Sequence, residues 1–160
     1  MMRLKEVLNR IIHYDAHRIL CLIYMYLEDF KTVNDVFGHN IGDILLKEFA
    51  KIIKNNARTS DIIARFGGDE FAIIIPEHTA DFYITGVFNL IDRLREKMKI
   101  KAASMLLPSG LAGVSAGVEI INLQNFDPKK ENLNKKIEEI LNSADQKMYK
   151  NKRERKKILK

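Results

Sequence analysis

The chain has 160 residues, 46% of them hydrophobic and 30% charged, enough apolar material for one folded domain and too much for a chain disordered as a whole. Three prolines and eight glycines exclude collagen-like and low-complexity classes; the longest apolar run, 19–27, is too short for a membrane helix; and the single cysteine, Cys21, excludes an internal disulfide and a thiolate metal cluster. The net charge of +6 is a tail property, because from Lys147 onward eight basic residues meet one acid, leaving the rest of the chain close to neutral.

In chain order, Leu4, Val7, Leu8, Ile11 and Ile12 recur at helical spacing and predict an amphipathic helix over 3–17. It sets an N-terminal helical segment, 1–18, apart from a domain spanning 19–160. No secretory leader is legible in the first ten residues, and the lone cysteine suits a reducing cytoplasm. Ile19–Glu28 reads as a central strand apolar on both faces, with Tyr24, Tyr26 and Glu28 on one face and Ile23, Met25 and Leu27 on the other. Phe30–Phe37 reads as a short helix closed by Gly38, and Gly42–Ala57 as a second helix with a stripe of Leu45, Leu46, Phe49, Ile52 and Ile53.

Asp61–Phe66 and Glu70–Ile75 are predicted strands joined at Gly67-Gly68, the best hairpin signal in the chain. A helix follows over about 80–99, with Val87, Phe88, Ile91, Leu94 and Met98 inward. Two strand-like runs over 101–122 flank Pro108-Ser109-Gly110, the second being Gly113–Ile121. A last helix, Leu133–Asn151, carries Ile137, Ile140, Leu141, Ala144, Met148 and Tyr149. Alternation of strands and helices, interrupted by one hairpin, predicts an α/β (α+β) fold: a mixed central β-sheet with an antiparallel hairpin, flanked by helices, in the split βαβ or ferredoxin-like neighbourhood.

Chemistry concentrates at the hairpin tip, Arg65-Phe66-Gly67-Gly68-Asp69-Glu70-Phe71. Two glycines permit positive φ and close approach of a ligand, and two adjacent carboxylates between apolar strands do not serve a core. Alone, the tip also reads as a soluble turn. It is joined by Phe30-Lys31-Thr32-Val33-Asn34-Asp35-Val36-Phe37-Gly38-His39-Asn40-Ile41-Gly42-Asp43, by Ser115-Ala116-Gly117-Val118, and by Ala144-Asp145 with Met148-Tyr149 and Lys152. Together these motifs resemble the GGDEF family, the diguanylate cyclases, over roughly 19–157.

The resemblance implies condensation of two GTP into cyclic di-GMP with release of pyrophosphate, in a homodimer whose two domains face each other. The 3′-hydroxyl of one nucleotide attacks the α-phosphate of the other, with Mg2+ or Mn2+ on the phosphates. It implies that Glu70 is a metal-binding acid, that Asp69 acts near the attacking hydroxyl, and that Gly67 and Gly68 admit the nucleotide. Asn34 and Asp43 match guanine readers, chemically apt because a carboxylate accepts from the base N–H edge and an amide both donates and accepts. Lys31, Lys152 and Lys156 match phosphate contacts, and the helix start near Phe30 is a cradle of backbone N–H groups. Arg58-Thr59-Ser60-Asp61 matches an inhibitory RxxD site for cyclic di-GMP, with Arg93 as a candidate second arginine.

Structural alternatives stand beside these roles: turn and N-cap use for Asn34 and Asp43, and surface charge for Lys152 and Lys156. His39 is assigned no catalytic role, and His13, His17 and His78 show no ligand spacing.

The match departs from the family at the end of the first strand. Two acids one residue apart are expected before Phe30-Lys31, and Tyr26 and Glu28 stand there. The first is ordinarily a metal ligand, and a phenol with a pKa near 10 is a poor substitute; Glu28 is the remaining candidate metal ligand. Weak or absent catalysis with a surviving nucleotide site is therefore expected. The leader segment matches only at Leu4, Asn9 and Arg10, and a sensor or partner protein is the expected missing input. The alternative function is a degenerate domain that binds cyclic di-GMP or GTP as a regulatory module. Nucleic-acid binding through the tail ranks low, because aromatic interleaving is lacking.

Overall fold

The computed structural model describes residues 19–77, 83–122 and 132–158. The expected helix over 3–17 lies outside them. The described elements are β1 (Ile19–Leu27), α1 (Phe30–Phe37), α2 (His39–Asn56), β2 (Ile62–Gly67), β3 (Glu70–Glu77), α3 (Tyr83–Ser104), β4 (Val114–Asn122) and α4 (Leu133–Ile158).

The four strands form one sheet in the order β2-β3-β1-β4. β1 is central because nearly every side chain along it is apolar, so burial on both faces costs no unpaired polar group. One expectation is refined. The sheet is antiparallel at every described pairing rather than mixed, because the helical crossover from β1 to β2 passes over β3 and that from β3 to β4 passes over β1. The order and directions are those of the ferredoxin-like arrangement.

The pleat sends alternate side chains of β1 into two cores. Cys21, Ile23, Met25 and Leu27 meet α1, α2 and α3, while Leu20 and Leu22 meet Ile137, Ile140, Leu141 and Ala144 of α4. Phe49 of α2 packs edge-on against Phe71 of β3 at 4.9 Å, tying the helical layer to the hairpin. On the other face, α4 rests on bare backbone: a Cβ at Gly117 would collide with the Ala144 carbonyl and the Met148 amide. Ser143 and Lys147 both donate to the Glu119 carboxylate, at 2.7 and 2.6 Å, and fix the helix along β4.

Several boundaries differ from expectation. α2 starts at His39 rather than Gly42, because Gly38 at φ 84 turns the chain and its carbonyl accepts the Ile41 and Gly42 amides. The first run within 101–122 is not a strand: residues 101–104 finish α3, turns follow, and only Val114–Asn122 extends. α4 continues to Ile158, past the expected Asn151. Phe88 and Tyr149 are 52% and 59% exposed, since each lies about 100° around its helix from the neighbour that does pack inward. The inward row of α4 instead runs Ile137, Ile140, Leu141, Ala144, Met148 and then Lys152. Among the described residues no helix is long and apolar enough to cross a membrane.

Candidate functional site

Antiparallel pairing brings the C-terminal end of β1 and the N-terminal ends of β3 and β4 to one edge of the sheet. Tyr26 lies there with Glu70 directly across on β3 and Ser115 directly across on β4. The hairpin tip is held by its own side chains. Gly68 adopts φ 50, and the Arg65 guanidinium donates twice to its carbonyl, at 3.0 and 2.7 Å, while lying 5.8 Å from the Phe71 ring centroid. The Leu27 amide donates to the Asp69 carbonyl at 3.1 Å and joins the tip to β1.

Two tyrosines face the two acids. The Tyr26 phenol is pushed up to about 12, first by burial and then by the charge of Asp69 and a hydrogen bond to it. The Tyr24 phenol is raised further, by burial and then by the charge of Glu70 and a hydrogen bond to that carboxylate. Its ring stacks on Phe66 at 5.5 Å, so β1 braces the tip from beneath. Above Tyr26 sits Lys152 of α4, its Nζ 3.8 Å from the ring centroid. One residue earlier, Asn151 accepts from Arg95 of α3 at 3.0 Å, and the same guanidinium donates to the Val114 carbonyl at 3.1 Å. α3, β4 and α4 are thereby linked next to the lysine.

Glu28 follows a different course. It is 3% exposed, its carboxylate accepts the hydroxyl of fully buried Ser115, and a Cβ at Gly113 would strike its Oε2. The carboxylate is enclosed against the start of β4 instead of being presented to a ligand.

The helical corner places Asn34 against Gly42, the residue before Asp43. The Asn34 amide oxygen lies so near Gly42 that any side chain there would collide with it, which sets Asn34 beside the residue preceding Asp43. Asn34 is half-buried and Asp43 exposed. Lys31 is exposed in the first turn of α1, following Asp29, which adopts left-handed φ 55. Lys156 belongs to α4, but its side chain is outside the described residues. Arg58 and Asp61 form a closed turn before β2: the Arg58 amide donates to Asp61 Oδ2 at 2.7 Å, and the Asp61 amide to the Arg58 carbonyl at 3.1 Å. That turn is a strand's length, about 20 Å, from the hairpin tip. Arg93 is exposed on α3.

The donor set does not fit a divalent cation at the end of β1. Tyr26 offers a neutral phenol with an ammonium on its face, and Glu28 is enclosed. Among the described residues, no three His, Cys, Asp or Glu side chains gather as a metal-holding group.

Sequence reasoning missed the structural work of Tyr24, Arg65, Arg95 and Ser115. Only Ser115 carried a signal, through the Ser-Ala-Gly-Val run, and its partner depends on a strand register that a sequence does not display.

A model of the GGDEF family, described as "Diguanylate cyclase, GGDEF domain", matches residues 2–157. The bifunctional diguanylate cyclase/cyclic di-GMP phosphodiesterase MucR of Pseudomonas aeruginosa is 38% identical over 98 residues, 61% of this chain and 14% of that protein. The match spans between 7% and 32% of the length of such curated relatives. The active GGEEF domain of a diguanylate cyclase from Vibrio cholerae has a similar structure, with a TM-score of 0.67, 25% identity, and coverage of 96% of this chain and 87% of that one. The GGDEF domain of DgcB from Caulobacter crescentus, in complex with c-di-GMP, gives 0.67 and 25%, covering 95% and 84%. An antiparallel sheet in ferredoxin-like order, a Gly-Gly-Asp-Glu-Phe hairpin tip and a family match across nearly the whole length agree: the chain belongs to the GGDEF family of diguanylate cyclase domains.

Proposed function

We propose that this chain is a guanine-nucleotide-binding domain of diguanylate cyclase type in which Tyr26 keeps the condensation of two GTP into cyclic di-GMP slow. The observation that carries the reading is the position of Tyr26, directly across from Glu70 of the hairpin and covered by Lys152. Asn34 and Asp43 read the guanine edge, the amide as donor and acceptor and the carboxylate as acceptor. Gly67 and Gly68 let the triphosphate approach the tip, with Lys31, Lys152 and Lys156 as its counter-charges.

In the condensation, the 3′-oxygen of one nucleotide bonds to the α-phosphorus of the other, and pyrophosphate leaves. Two copies of the domain must therefore face each other. Asp69, beside the attacking hydroxyl, would take its proton. The missing metal ligand slows the step: losing about 4 kcal/mol of charge stabilisation costs roughly a thousandfold in rate. Cyclic di-GMP is the second proposed ligand, at the Arg58–Asp61 turn. Support there is an exposed arginine in a turn whose main-chain amide fixes the orientation of the Asp61 carboxylate.

The test is calorimetric titration with GTP and ATP, alongside pyrophosphate release with magnesium or manganese. GTP should bind in preference to ATP while pyrophosphate stays near background. Rapid release together with cyclic dinucleotide, or equal affinity for ATP, overturns the proposal. Loss of cyclic di-GMP binding in Arg58→Ala checks the second site.

A further inference from the structure

We propose that Lys152, seated on the Tyr26 ring, takes the place of a divalent cation, so that this domain binds guanosine triphosphate without magnesium. The inference rests on the nucleotide-binding reading above and concerns what balances the triphosphate charge. An acid holding a divalent ion at the end of β1 would contribute a net +1. With a neutral phenol in that position, the lysine ammonium on its ring, itself one of the matching phosphate contacts, supplies +1 there with no metal.

The ring face is the holder: its negative quadrupole attracts the ammonium, which lies 3.8 Å from the centroid. The lysine reaches that position from a helix fixed on three sides. The inward row of α4 packs into the second core through Ile137, Ile140, Leu141 and Ala144; Ser143 and Lys147 grip Glu119; and Arg95 holds Asn151. The cation is thus preorganised, on a side chain that is only half-buried. Its hydrogens suit phosphate oxygens as well as the ring. Glu28 is enclosed and accepts Ser115, and among the described residues no three His, Cys, Asp or Glu side chains gather, which leaves little in the local donor set to recruit a metal.

The experiment titrates the whole chain with GTP in excess magnesium and again in excess EDTA. The native protein should show dissociation constants within about threefold of each other in the two media. Lys152→Ala should weaken binding in EDTA by about tenfold or more. Tyr26→Phe, which keeps the ring, should retain a magnesium-to-EDTA ratio near one. Tyr26→Asp should bind at least about tenfold more tightly with magnesium than with EDTA. Circular dichroism checks that each variant is folded. A native affinity that falls tenfold or more in EDTA overturns the inference and leaves the nucleotide-binding reading standing. Absence of binding in both media overturns both.

Discussion

Two corners of this domain have diverged to different degrees. The helical corner, where α1 meets α2, keeps Asn34 against Gly42, the neighbour of Asp43, and the family resemblance assigns Asn34 and Asp43 to the guanine base. The sheet corner, where β1 meets the hairpin, keeps Gly67, Gly68, Asp69 and Glu70 but places a phenol among them and an ammonium on that phenol. The residues matched to base reading and those matched to metal binding therefore lie on different elements.

The largest expected effect erases the difference between the corners. Tyr26→Asp restores an acid opposite Glu70, so cyclic dinucleotide formation from GTP in manganese should rise by up to about a thousandfold. An unchanged rate would mean that Tyr26 is not the limiting substitution. Next, Phe49→Ala loosens the support the two corners share, since this buried ring joins α2 to Phe71 beside the tip. A stability loss of about 3–5 kcal/mol is expected in urea unfolding. Asp43→Ala acts on the helical corner alone. It should weaken GTP binding by roughly 10- to 100-fold and leave ATP binding unaltered, a pattern that damage to the phosphate side would not give.

The smallest effect probes the scaffold. Burial, more than any charge, pushes the Cys21 thiol up to about 12 from an ordinary 9.0. The unfolded thiol therefore ionises first, and unfolding releases a proton between those two values. Stability conferred by this thiol is intact below pH 9 and declines as pH rises toward 12, by at most about 1.4 kcal/mol per pH unit. Cys21→Ala should remove that part of the slope in pH-dependent unfolding curves.

The fold was legible where period and punctuation agree. β1 reads as a central strand because it is apolar on both faces, and the hairpin is visible because two glycines separate two β-rich runs. Sheet direction was less legible, since whether a crossover skips a strand depends on packing rather than on any residue. The run before Pro108 has strand-like composition, yet it continues a helix already stabilised by Leu94, Met98 and Ala102 in the core. At the site, residue types could be matched to roles, but pairings could not. Nothing in the order of residues tells that Lys152 reaches Tyr26, that Ser115 engages Glu28, or that Arg65 folds back onto Gly68; each depends on register or on the angle at which a helix crosses the sheet.

That crossing angle turns on Gly117. The last helix touches β4 there through main chain alone, and Lys152 follows Met148 by one turn, about 6 Å along the axis. A contact between two backbones has no rotamer with which to yield. The strand therefore acts as a fulcrum, and the helix end as the short arm of a lever carrying the ammonium. The gap between cation and phenol is gauged by a missing methyl group on a neighbouring strand, so even the smallest bulk added there would be felt as a displaced charge.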